Sequence, residues 1–297
     1  MKISGIFAPI PTPFTEREDI DFDHLYENLV KWGRSSLSGI VVLGSNGEFV
    51  SLSFEEKVQM TAFCRKHFPA EKMVIAGTGC EGTRETIRLT CHLAEAGAEA
   101  ALVVNPSYYK SRMTEKTLEA HYRAVADKSP VPVMIYNMPG NTGINMSAAL
   151  LSRLSLHPNI AGVKDSSGNI VQISSTIRDS REGFSVFAGS GSYLLPTLVM
   201  GGSGATMAVA GIVPDHCAAI SEALEKGELA RARELQMELL DLNAAVTSKH
   251  GVPGLKYALD QIGFYGGPCR GPLLPVEEGP AGEIRELLVK IGCELKG

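Results

Sequence analysis

Eight short apolar runs follow one another along this chain, separated by amphipathic stretches. They fall at residues 5–10, 39–43, 73–76, 100–104, 131–136, 160–164, 184–188 and 203–207. Each is rich in Val, Ile and Ala with little polar alternation. Each therefore reads as a strand buried on both faces, the mark of a parallel sheet covered by helices. Residues 24–33, 54–67, 83–96, 114–126 and 147–154 repeat apolar positions at spacings of three and four, as amphipathic helices do. Ser53-Phe54-Glu55-Glu56 has the Ser-x-x-Glu pattern of a capping box, and Thr114 precedes Glu115 and Lys116 in the same manner. Eight strand–helix units suit closure into an α/β fold of the (β/α)8 TIM barrel type. An open doubly wound sheet is the alternative, but no Gly-x-Gly-x-x-Gly follows the first run.

The eighth helix is expected to end near Lys226-Gly227. Beyond it, 229–242, 252–262 and 283–291 read as helices, punctuated by Pro253, Pro268, Pro272, Pro275 and Pro280. The expected organisation is a barrel over 1–226 and a small C-terminal helical extension over 227–297.

Composition removes several classes of function. The 297 residues are 44% hydrophobic and 21% charged, as in a soluble globular protein. A formal net charge of −5 speaks against a nucleic-acid or anionic-membrane partner. No apolar run approaches the ~18 residues that span a bilayer. The first residues enter an apolar strand at once, without a signal-peptide cleavage region or the Arg/Ser-rich character of a transit peptide, so a cytoplasmic protein is expected. The six cysteines are scattered, form no Cys-x-x-Cys pair and have no histidine cluster beside them. Neither a disulfide framework nor a structural zinc site is expected.

In a barrel of this kind the chemistry lies at the C-terminal ends of the strands. Gly44-Ser45-Asn46-Gly47-Glu48 follows strand 2 and Asn105-Pro106-Ser107-Tyr108-Tyr109 follows strand 4. Strand 5 ends in Tyr136-Asn137, and strand 6 in Lys164-Asp165-Ser166. Lys164 closes an otherwise apolar strand. Burial disfavours the charged ammonium and favours an amine able to attack a ketone and form a Schiff base. A lysine that snorkels outward or pairs with Asp165 is the alternative. Tyr136 could shuttle protons in the barrel mouth or be a core tyrosine. Ser45 and Asn46 could offer N–H groups to a carboxylate or phosphate, or form a tight turn. Tyr108-Tyr109 read as interface or core aromatics. Asp165 and Glu48 are carboxylates at the rim, but no histidine completes a metal set. No Gly-x-Ser-x-Gly elbow supports a serine hydrolase.

Taken together, these residues resemble the dihydrodipicolinate synthase / N-acetylneuraminate lyase family of pyruvate-dependent class I aldolases. The likeness covers nearly the whole chain. It runs through Thr12-Pro13-Phe14, Gly44–Glu48, Tyr108-Tyr109, Tyr136-Asn137-x-Pro139, Thr142-Gly143 and Gly162-Val163-Lys164-Asp165-Ser166. The resemblance implies a (β/α)8 barrel with a C-terminal helical extension. It further implies a homotetramer built as a dimer of dimers, a small 2-oxo acid substrate with a pyruvate moiety, and no cofactor or metal. Carried over, it makes Lys164 the Schiff-base lysine and Tyr136 the tyrosine that assists proton transfer. Ser45 and Asn46 become the pair on the pyruvate carboxylate, where the synthases usually carry two threonines. Tyr109 becomes the tyrosine that crosses a dimer interface into the neighbour's site.

Within the family, the synthases place an Arg immediately before Thr-Gly to bind aspartate semialdehyde. Here that position is Asn141, and a neutral amide lacks the bidentate grip of a guanidinium. Gly44–Phe49, Gly77–Glu81, Arg112-Met113 and His157–Ile160 look instead like 4-hydroxy-2-oxoglutarate aldolase. So do Asn243–Thr247 and Tyr265–Arg270, two segments expected to lie far from the chemistry. The implied reaction is cleavage of a 4-hydroxy-2-oxo acid, with 4-hydroxy-2-oxoglutarate giving pyruvate and glyoxylate. Ser166 is expected at the distal carboxylate, with a helix cap as its alternative role. Rival readings are dihydrodipicolinate synthase, a 2-keto-3-deoxy sugar-acid aldolase or dehydratase, and a catalytically silent ligand-binding barrel.

Overall fold

The structure, a computed structural model, describes residues 2–296. Eight parallel strands close on themselves in chain order, β1 pairing with both β2 and β8. They are β1 (Gly5–Pro9), β2 (Gly39–Val42), β3 (Met73–Gly77), β4 (Ala100–Val104), β5 (Val133–Asn137), β6 (Ile160–Asp165), β7 (Ser185–Ala188) and β8 (Gly204–Thr206). Every expected strand is present within three residues of its expected ends. Nearly every strand position is buried, as the absence of polar alternation requires.

The connecting helices begin with α1 (Phe22–Gly33), α2 (Phe54–His67), α3 (Thr83–Glu95) and α4 (Glu115–Lys128). A single turn α5 (Pro139–Thr142) precedes α6 (Ala148–Ser155), α7 (Ile170–Asp179), α8 (Leu194–Val199) and α9 (Pro214–Glu225). The capping box at α2 forms in full: Ser53 Oγ accepts the Glu56 N–H at 3.1 Å, and Glu56 accepts the Ser53 N–H at 2.7 Å. At α4, Thr114 caps the Thr117 N–H, but no carboxylate returns the bond because position 117 is threonine. The chain continues as α10 (Leu229–Ala244), a π-helical turn (Ala245–Lys249), α11 (Gly251–Gln261) and α12 (Glu278–Lys290).

The barrel interior is a packed core of Ile3, Phe7, Ile75, Leu102, Met134 and Phe187 with their neighbours, and the Phe7 and Phe187 ring centroids are 5.6 Å apart. A second apolar layer fills the space between strands and helices. Each fully buried Val, Ile or Leu there contributes about 1.5–3 kcal/mol. Helices α10, α11 and α12 share this outer core through Leu239, Leu242, Leu255, Leu259, Ile284 and Leu288. They bring the residues around 245–252 to the C-terminal mouth of the barrel. No helix among the described residues is long and apolar enough to cross a membrane.

Candidate active site

Neighbouring strands β5 and β6 pair Tyr136 with Lys164 and Asn137 with Asp165. Side chains alternate across a strand, so the first pair points one way and the second the other. Tyr136 and Lys164 face the barrel mouth, 5% and 4% exposed, with Lys164 Nζ 4.1 Å from the phenol ring centroid. Asp165 faces the helices. Its carboxylate accepts from Asn137 Nδ2 at 3.2 Å, Gln172 Nε2 at 2.9 Å and the Ser167 N–H at 2.8 Å. The alternative in which Lys164 pairs with Asp165 is therefore excluded by strand alternation. Lys164 has no ion-pair partner among the described residues.

The phenol of Tyr136 is perturbed in a chemically useful direction. Burial pushes its pKa up. The Lys164 charge, with the polar side chains of Ser45 and Ser166 beside the phenol, outweighs that, and the net pKa falls below the ordinary tyrosine value. Tyr193, buried nearby beside Asp165 without such a cation, is pushed up instead. Tyr136 is thus the phenol biased toward proton exchange. A spectroscopic titration, read as wild type minus Tyr136→Phe, should show its tyrosinate forming below the ordinary range. In Lys164→Ala that transition should move up, because the stabilising charge is gone while the burial stays. No movement would mean that the ammonium does not act on the phenol.

Ser45 and Asn46 reach the mouth on a short 3₁₀ turn, Ser45–Gly47. Leu43, at φ 58°, lies in the left-handed region just before this turn, and Glu48, at φ 54°, just after it. Non-glycine residues hold that conformation only where surrounding contacts enforce it. Those contacts are visible. Thr12 Oγ1 donates to Gly47 O at 2.7 Å. Glu48 is buried in an ion pair with Lys256 of α11 at 2.6 Å, both side chains at most 2% exposed. The other Glu48 oxygen accepts the Arg270 N–H at 2.9 Å. Lys256 also donates to Pro268 O at 2.7 Å and stands 4.5 Å from the Phe14 ring centroid. Arg270 binds the Glu56 carboxylate at 2.7 and 3.0 Å.

Two expectations are corrected here. Glu48 and Asp165 are not rim carboxylates. One is buried beneath the 44–48 loop by Lys256, and the other faces the helices. Nor do 243–247 and 265–270 lie far from the chemistry. Val246 and Thr247 line the cavity, and the second segment clamps the loop that carries Ser45 and Asn46. Sequence reasoning missed Lys256, Arg270 and Asn243 as supporting residues, although the resemblance had flagged segments containing two of them.

Lys164, Tyr136, Ser45, Asn46 and Ser166 line one cavity of about 670 Å³, together with Asn141. Gly189 presses against Ser166 so closely that a Cβ there would stand 1.9 Å from Ser166 Oγ. Among the described residues that line the cavity Lys164 is the only charged side chain, and none of them carries a guanidinium. Tyr109 does not line this cavity within one chain. It is 69% exposed, its ring 5.1 Å from that of Tyr108 in a T-shaped contact. Glu81 fixes this loop by accepting the N–H groups of Ser107 and Tyr108 at 3.0 and 2.9 Å.

The profile of the Dihydrodipicolinate synthetase family matches residues 2–291. The 4-hydroxy-tetrahydrodipicolinate synthase of Methanoculleus marisnigri is 36% identical over 97% of this chain and 99% of its own. A probable mitochondrial 4-hydroxy-2-oxoglutarate aldolase of Emericella nidulans is also 36% identical, over 96% of this chain and 93% of its own. Among solved structures, a chloride-inhibited dihydrodipicolinate synthase from Acinetobacter baumannii, complexed with pyruvate, superposes with a TM-score of 0.94 at 28% identity. That alignment covers 98% of this chain and all of the other.

Proposed function

This chain belongs to the Dihydrodipicolinate synthetase family, and we propose that it is a lysine Schiff-base lyase that cleaves 4-hydroxy-2-oxoglutarate to pyruvate and glyoxylate. The observation that carries this reading is the in-register Lys164–Tyr136 pair in a cavity whose described lining holds no second charged side chain. The Lys164 amine adds to the C2 ketone, and loss of water gives an iminium. Tyr136 takes the proton of the C4 hydroxyl. The C3–C4 electron pair moves into the iminium to form an enamine, and glyoxylate leaves. Protonation at C3 and hydrolysis release pyruvate and restore the lysine. Ser45 and Asn46 hold the C1 carboxylate, and Ser166 contacts the far half of the substrate. The lysine is itself the electron sink, so the scheme needs no cofactor or metal.

Tyr109 reaches the site of a second copy in this reading, within a homotetramer built as a dimer of dimers. Its exposure and the Glu81 clamp support that placement. Mixing Tyr109→Phe with Lys164→Ala protein should restore activity in hybrids, since one of the two hybrid sites is then complete. Mixtures no more active than their parts would leave Tyr109 outside the chemistry.

The synthase reading is favoured by the names of several relatives and opposed by Asn141. The deciding experiment measures pyruvate release from 4-hydroxy-2-oxoglutarate with a coupled reductase, and condensation of pyruvate with aspartate semialdehyde in parallel. Release with weak condensation supports the aldolase, and the reverse supports the synthase. Tyr136→Phe should lower the rate by roughly 10²–10⁴, the span of a general acid–base group. An unaltered rate would move proton transfer elsewhere.

A further inference from the structure

The loop from β7 into α8 carries two hydroxyls that this scheme leaves unused. Ser190 and Ser192 line the cavity on either side of buried Gly191. The side chain that organises them comes from α10. Asn243, 1% exposed, accepts the Gly191 N–H on Oδ1 at 3.0 Å. It donates from Nδ2 to Ser190 Oγ at 3.0 Å and to Ser192 Oγ at 2.9 Å. The amide has only one workable orientation. A backbone N–H has only a proton to offer, so the atom facing Gly191 is the oxygen and the one facing both serines is the NH₂. No side chain fits at 191, where a Cβ would stand 2.8 Å from Asn243 Oδ1. Gln236, seven residues earlier on α10, locks the same loop by donating to Gly191 O at 2.7 Å and accepting the Leu195 N–H at 2.9 Å.

This pattern fixes what the serines can do. Ser190 Oγ accepts from Asn243 and also from the Ser192 N–H at 3.3 Å. Both its lone pairs are occupied, and its own proton is its remaining capacity. Ser192 Oγ accepts from the same amide, so its proton too is directed away from Asn243. We infer that Asn243 primes Ser190 and Ser192 as paired hydrogen-bond donors for the end of the substrate remote from C1, and so selects a 2-oxo acid whose chain ends in a carboxylate. The inference rests on the reading that Lys164 and Ser45-Asn46 anchor the C1–C2 end. A carboxylate only accepts, and Lys164 is the sole cation among the described lining residues, so neutral donors meet the far end. Asn243 is a positioning residue, acting through the two serines.

The test compares binding of 2-oxoglutarate with that of 2-oxopentanoate, which carries a methyl in place of the far carboxylate, by calorimetry on the full chain. Wild type should prefer 2-oxoglutarate by roughly tenfold or more, the scale of hydrogen bonds to a charged group. Ser190→Ala/Ser192→Ala should abolish the preference. Asn243→Asp should do the same at nearly constant size, because an acceptor replaces Nδ2 and the hydroxyls turn to donate to it. General damage to the fold moves both constants together and leaves their ratio. A wild type without the preference, or a preference that survives in either variant, overturns the inference. Failure of the aldolase reading appears separately, as absent Lys164-dependent pyruvate release, and does not alter the binding ratio.

Discussion

Lys164→Ala should lose turnover by at least about 10⁴-fold and lose all borohydride-trappable pyruvate, while keeping its fold. The scale follows from removal of a covalent nucleophile, which other groups in the site cannot replace. Retention of fold follows from the surroundings. Lys164 is 4% exposed and has no ion-pair partner among the described residues, so its removal strands no opposite charge. The asparagine, glutamine and backbone groups around Asp165 stay satisfied without it. Thermal denaturation and circular dichroism check the fold, and mass spectrometry after borohydride reduction checks the adduct. Trapping that persists in this variant would place the Schiff base on another lysine and end the scheme. A collapsed melting temperature would mean that Lys164 also supports the barrel.

Lys256→Met should be the most damaging change outside the cavity. It leaves the Glu48 carboxylate buried without its cation, a situation that costs about 3–5 kcal/mol. On a chain of this size the melting temperature should fall by on the order of 10 °C. Glu48→Gln/Lys256→Met should recover much of that loss, since a neutral pair of similar volume has no stranded charge. The function should suffer in a particular way. The ion pair holds the loop that carries Ser45 and Asn46, so affinity for the pyruvate half should weaken below the melting transition, in the double variant as well. A single variant as stable as wild type would show that water reaches Glu48. A double variant no better than the single one would show that shape, not charge, matters at this contact.

Much of this architecture is legible in the residues. Uniformly apolar strands announce burial on both faces, and their eightfold recurrence announces closure. Helices α7 and α8 escaped the reading for physical reasons. Helix α8 has six residues, almost all apolar and one of them proline, so it has no polar face to reveal a period. Helix α7 is rich in β-branched and serine residues, which lower its propensity, though Asn169 caps it. At the site, strand position put Lys164 and Tyr136 at the barrel mouth but left their roles open, and only the resemblance supplied those roles. The pairing of Glu48 with Lys256 joins residues more than 200 positions apart, and the grip of Asn243 on Ser190 and Ser192 joins residues more than 50 apart. Neither leaves a local pattern. Only the closure of the barrel and the return of the C-terminal helices bring them together.

The register between β5 and β6 has a consequence for how such a catalyst can diversify. Lys164 and Tyr136 are spaced by the hydrogen-bond ladder of adjacent strands, about 4.8 Å, a length set by the backbone and insensitive to side-chain identity. Another part of the cavity lining comes from different elements: Ser190 and Ser192, which Asn243 hydrogen-bonds, and the π-helical turn 245–249. On the proposed scheme, bond breaking and substrate choice therefore occupy different pieces of chain. A graft that exchanges α10 and its following turn, together with the 190–192 loop, could change the preferred aldehyde while the reacting pair stays untouched.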